Sequence, residues 1–127
     1  MAPHRIPLVG RTGDTAILIS ADAVEGYARL VGTDFTNEVC ARVMLTPHGK
    51  HAIDVAAKVT CPVLIQVCEF DSLVSPVSAR RIATLIGEKV QLTVYPASHF
   101  HIYLGEHFQN AVAEQVDFFV RHLLKCA

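Results

Sequence analysis

Two apolar runs constrain this chain more than anything else in it: one, from Cys61 to Phe70, closes on Asp71, and the other, from Val90 to Ala97, closes through Ser98 on His99. Val63, Leu64, Ile65, Val67 and Cys68 make a nearly continuous hydrophobic stretch rich in β-branched residues, as in a parallel strand covered on both faces. Val90, Leu92 and Val94 alternate as a second strand. Between them Ser75 can cap a helix and Pro76 suits its first position. Ala79, Ile82, Ala83 and Ile86 then repeat at helical spacing until Gly87 ends the pattern. Beyond the second strand, Phe108, Val112, Val116, Phe119, Val120 and Leu123 form the apolar face of a long final helix.

Residues 62–124 therefore spell strand, helix, strand, helix. A connection of this length makes the strands parallel through a right-handed crossover, so their carboxyl ends lie side by side. Neighbouring strands sit about 4.8 Å apart, and loops leaving the two ends can bring Asp71 and His99 within hydrogen-bonding reach. The carboxyl edge of such a sheet is where ligands bind. A histidine that must take and return a proton works best when a buried carboxylate fixes its tautomer and stabilises the imidazolium, the part Asp71 can play for His99. Plainer roles stay open on spacing alone: an Asp after a strand caps a turn, and a His before Phe100 packs in a loop.

Upstream the pattern is looser. The first fifteen residues, with Pro3, Pro7, Gly10, Gly13 and Asp14, read as an extended, turn-rich lead-in. A helix starts at Asp22, and a second from about Asn37, carried by Val39, Cys40, Val43 and Met44 and broken by Pro47 and Gly49. A third short helical stretch runs from His51 to Lys58. The chain divides accordingly into a lead-in and helical cap-like segment, 1–61, and a strand–helix–strand–helix unit, 62–127.

At 127 residues the chain is one domain or part of one. Eleven basic and twelve acidic side chains leave no electrostatic footprint for nucleic acid or an anionic membrane, so a small molecule or a protein is the expected partner. Hydrophobic residues are 51% and charged ones 18%, against roughly 45–50% and about 25% in ordinary domains, which leaves more apolar surface than a small fold can cover. No apolar stretch approaches the roughly 20 residues that span a bilayer, and the start lacks the run of a secretory signal; the expectation is a soluble, cytoplasmic protein. Cys40, Cys61, Cys68 and Cys126 have no C-x-x-C spacing and read as packed or free thiols. His99 and His101 lie two apart with no third ligand in view, so neither a metal nor another cofactor is expected.

The segment Pro62 to Ile65, followed by Asp71-Ser72-Leu73-Val74-Ser75-Pro76, resembles the P-x-L-I and G-x-x-D-x-x-V-x-P elements of α/β-hydrolase-fold enzymes, with Cys68 where the family usually has Gly. Ser98-His99-Phe100-His101-Ile102-Tyr103-Leu104-Gly105 is similar to the family's G-H-F-D-x-Y-x-G segment, with Ser98 for Gly and His101 for Asp. The likeness covers residues 62–124, and residues 15–61 resemble more loosely the helical cap of such enzymes. It implies an α/β fold, the carboxyl-terminal part of an α/β-hydrolase, in which Asp71 orients His99 and His99 serves as general base and then acid. His101 and Tyr103 are candidates to face the substrate.

The family's nucleophile sits in a G-x-S-x-G elbow ahead of the acid and the histidine. Glycines stand here at 10, 13, 26, 32, 49, 87 and 105, and no two differ by four. The expectation is thus a truncated hydrolase that cleaves ester, thioester or amide-type acyl bonds when completed and is inactive alone. Two parallel strands want more neighbours, so a complementing chain or a second copy is expected. The alternative is a non-catalytic, self-associating module derived from a hydrolase; a third reading makes Cys68 or a serine the nucleophile.

Overall fold

The computed structural model describes residues 3–45 and 51–124; the helix break assigned to Pro47 and Gly49, and Cys126, lie outside them. The chain forms two compact units, Met1–Gly49 and Lys50–Ala127, of mixed α and β structure.

In the first unit, strand β1 (Arg5–Ile6) pairs antiparallel with β2 (Val39–Cys40), and helix α1 (Ala23–Leu30) lies between them in sequence. Here the structure corrects one expectation. The extended lead-in holds β1, but the helix expected from Asn37 is a strand followed by a 3-10 turn, Ala41–Leu45. Residues distant in sequence decide this. The Asn37 side-chain amide grips both backbone groups of Val9, accepting from its N–H at 2.9 Å and donating to its C=O at 2.8 Å, while Val39 and Cys40 find a pairing edge in β1. Those partners satisfy the backbone groups that a helix would otherwise have to satisfy locally.

The second unit begins with a short helix, α2 (Ala52–Val55), and a 3-10 turn, Ala56–Lys58, whose Ala56 is buried. Strand β3 (Val63–Cys68) leads into helix α3 (Pro76–Ile86), strand β4 (Val90–Tyr95) and helix α4 (Gly105–Leu123). The Ser75 side chain accepts from the Ser78 N–H at 3.3 Å, and Pro76 opens α3 as the capping pattern requires. Gly87 ends it at φ +76°, where a side chain would be strained. β3 and β4 pair in parallel from Val63↔Val90 to Cys68↔Tyr95, so both end level.

That register sorts the side chains. Val63, Ile65 and Val67 share one face with Val90, Leu92 and Val94, whereas Gln66 shares the other with Gln91, Thr93 and Tyr95. The polar row converges on Glu114 of α4. Gln66 donates to its Oε2 at 2.8 Å, Tyr95 to the same oxygen at 2.9 Å and Gln91 to Oε1 at 2.9 Å, and the Thr93 hydroxyl joins them on Oε1. Burial alone would raise the Glu114 carboxyl, but these donors hold it below the usual carboxylate range.

α4 therefore meets the sheet through Ala111 and Glu114, and its buried residues are Ala111 and Phe118. The apolar stripe read from the sequence is present but points outward: Val116 is 52% exposed, Phe119 54% and Leu123 66% among the described residues. A four-donor carboxylate outranks the greasier face because leaving those donors without an acceptor costs about 1–3 kcal/mol each.

Burial, then the bond to Glu114 and its charge, push the Tyr95 phenol up to about 12. Because the folded value lies above the ordinary value of about 10, Tyr95 favours the folded state below that pH, and the contribution is lost as pH rises towards 12. Ultraviolet titration should show one phenol ionising near 12; Tyr95→Phe should delete that step and Glu114→Gln should move it to lower pH.

Candidate active site

Asp71 and His99 stand on the loops that leave the level ends of β3 and β4. The first residues of both loops are stitched together: the Tyr95 carbonyl accepts from the N–H of Glu69 at 2.9 Å and of Ala97 at 2.8 Å, and the Ala97 carbonyl accepts from Phe70 at 3.1 Å. From there the chain needs only one further residue to reach Asp71 and two to reach His99.

The two side chains meet, His99 Nδ1 lying 2.9 Å from Asp71 Oδ2. The other carboxylate oxygen, Oδ1, accepts from the backbone N–H groups of Leu73 and Val74, each at 2.8 Å. The turn-capping and histidine-binding roles that spacing left open thus coexist, one on each oxygen. The Asp71 side chain is 10% exposed and that of His99 27%. Burial alone would raise the Asp71 carboxyl; the Val74 N–H, the His99 ring and the Leu73 N–H outweigh it and hold the group below the ordinary carboxylate value.

An ionised carboxylate only accepts, so Nδ1 carries the hydrogen and donates it. In the neutral ring Nε2 is then the basic nitrogen, and it makes no hydrogen bond among the described residues. The pair can therefore accept a proton at Nε2 and stabilise the resulting imidazolium through Asp71.

His99 opens onto a groove of about 370 Å³ lined by Asp71, by three consecutive residues of β3 (Gln66, Val67, Cys68), by Pro76 and Ala79 of α3 and by Phe108 and Val112 of α4. Consecutive strand residues face opposite sides of a sheet, so a groove touching all three runs along the strand's edge. No β4 residue lines it, which places it at the edge of β3 that has no strand partner among the described residues.

Tyr103 lines this groove and is half exposed. His101 does not line it: its Nδ1 lies 3.0 Å from the Ser98 hydroxyl, and the ring is directed to its own loop. Cys68 lines the groove but is only 7% exposed, and burial followed by the Asp71 charge pushes its thiol up, the opposite of an activated cysteine. Cys40, Cys61 and Cys68 are free thiols. Among the described residues no three His, Cys, Asp or Glu side chains are grouped as metal ligands, and no helix is long and apolar enough to cross a membrane.

The residues that sequence reasoning passed over are Gln66, Gln91, Thr93, Tyr95 and Glu114. A signal existed, a glutamine inside an apolar run and polar residues at 91, 93 and 95.

No family model matches this chain, and no solved structure does. The quorum-quenching protein AidA of Acinetobacter baumannii (strain MDR-ZJ06) is 32% identical to it over 121 residues, which are 94% of this chain and 40% of AidA. Two Escherichia coli proteins, each named as an uncharacterized 31.7 kDa protein in the traX-finO intergenic region, are 37% identical over 70 residues, 54% of this chain and 24% of theirs. The chain thus spans less than half the length of these curated relatives.

Because the folded Asp71 value lies below the unfolded one, its interactions favour folding above about pH 4, and that contribution is lost as pH falls through the folded value. Urea denaturation at stepped pH should show this acid loss. Asp71→Asn, which keeps the turn acceptor, should lower stability at neutral pH by about 1 kcal/mol and flatten the acid limb.

Proposed function

We propose that this chain is the carboxyl-terminal part of an α/β-hydrolase-fold enzyme that cleaves ester, thioester or amide-type acyl bonds of a small substrate. The observation that carries the reading is the 2.9 Å contact between Asp71 and His99 at the level ends of two parallel strands, with His99 lining a groove. The likeness to a quorum-quenching protein supports a small-molecule substrate.

In this reading Asp71 holds the imidazole in the Nδ1–H tautomer. Nε2 takes the proton of an attacking hydroxyl or thiol as the acyl carbon is engaged, then returns it to the leaving group. Tyr103 shapes the substrate side of the groove, while His101 braces the loop through Ser98. The nucleophile comes from a further strand laid along the free edge of β3, in this protein or in a complementing chain. The groove flanked by α3 and α4 supports that placement, as does the outward apolar stripe of α4. A histidine and a carboxylate have nothing to activate without it, so the chain alone is inactive.

The same apolar stripe favours a second reading, a self-associating module without catalysis. The two separate when the protein is expressed in line with whatever its coding region places upstream of Met1. With a nucleophile elbow supplied there, short acyl esters should be hydrolysed, and His99→Ala should reduce turnover at least about a thousandfold. Unchanged turnover in that variant discards the assignment, and a stable homo-oligomer in light scattering with no esterase activity favours the module.

A further inference from the structure

The Asp71–His99 pair does not hold itself in place. Everything between the sheet and His99 passes through Tyr95 and Ala97. The Tyr95 carbonyl receives the N–H groups of both Glu69, on the way to Asp71, and Ala97, on the way to His99. Tyr95, Ala97 and Ala111 are packed together with Ile102 against them, which ties the base of the His99 loop to α4. The Tyr95 hydroxyl in turn ends on Glu114, one turn along from Ala111. Gln66 completes the tie from β3, donating to Glu114 at 2.8 Å and to the Ala111 carbonyl at 3.0 Å while accepting from Gln115 at 2.7 Å.

We propose that Glu114 is a positioning residue for His99: by gathering Gln66, Gln91, Thr93 and Tyr95 onto one carboxylate, it fixes the end of β4 against β3 and so sets the Asp71–His99 contact. The inference rests on the reading of that contact as a catalytic acid–base pair, but it concerns a residue on another element that never touches the imidazole. A merely structural carboxylate would affect how much protein is folded. A positioning carboxylate affects the imidazole hydrogen bond in protein that is folded. The anchor is a ring of directional bonds with little slack, so its loss lets the carboxyl end of β4, and with it the His99 loop, shift relative to Asp71.

The test is nuclear magnetic resonance on the full chain with ring-15N histidine, the His99 signal being identified by its loss in His99→Ala. The unaltered protein should show a downfield, exchange-protected Nδ1–H resonance, and Asp71→Asn should abolish it. Glu114→Gln should speed the exchange of that proton with water by about tenfold or more while the amide spectrum of both strands stays native. Tyr95→Phe should act in the same direction to a lesser degree, and it serves if Glu114→Gln does not fold. Thr84→Ala, on the exposed face of α3, should leave the signal unchanged. Unaltered exchange in both Glu114→Gln and Tyr95→Phe overturns the proposal. A resonance that survives Asp71→Asn, or that is missing from the unaltered protein, overturns the acid–base reading beneath it instead.

Discussion

The parallel pairing of β3 with β4 is the constraint from which the rest of the second unit follows. Its register, Val63↔Val90 through Cys68↔Tyr95, makes the strands stop level, so that neither loop has to climb past the other to bring its side chain into play. A slip of one residue would exchange the two faces of β4, sending Gln91, Thr93 and Tyr95 towards the apolar face and removing three donors from Glu114. Register and polar network therefore specify one another. Parallel pairing contributes little stability with only two strands; the carboxylate on α4 adds a bond pattern that a single alignment satisfies.

This division of labour explains an unusual distribution of apolar surface. In an ordinary α/β layer a helix covers a sheet with its most hydrophobic stripe. Here α4 turns a small residue and a charge to the sheet, namely Ala111 and Glu114. Val116, Phe119 and Leu123 are left outward. That arrangement suits a helix with two neighbours, one met through polar bonds and another through packing.

Much of the second unit was legible in the sequence because its signals are local. Ser75 and Pro76 mark the start of α3, Gly87 marks its end, and the apolar runs mark the strands, all within a few residues of the structure they specify. The meeting of Asp71 with His99 followed from topology, since a short right-handed crossover leaves few other placements for the two loops. The first unit was less legible. Whether Val39 and Cys40 coil or extend depends on Arg5 and Ile6, more than thirty residues away, and on the Asn37 grip on Val9. The orientation of α4 is not legible for a related reason: helical periodicity finds the greasiest stripe, and only the pairing of polar positions across two strands reveals that a carboxylate overrides it.

The two oxygens of Asp71 have a consequence for how this pair would work. Because the Leu73 and Val74 amides are held by Oδ1, the turn orients the carboxylate independently of the imidazole, and Oδ2 has less rotational freedom to surrender when it receives one. In the proposed reading, the carboxylate is preorganised by its own turn and the imidazole is the component that docks. Variation in the histidine loop would then alter how often the pair forms, without disturbing where the carboxylate waits.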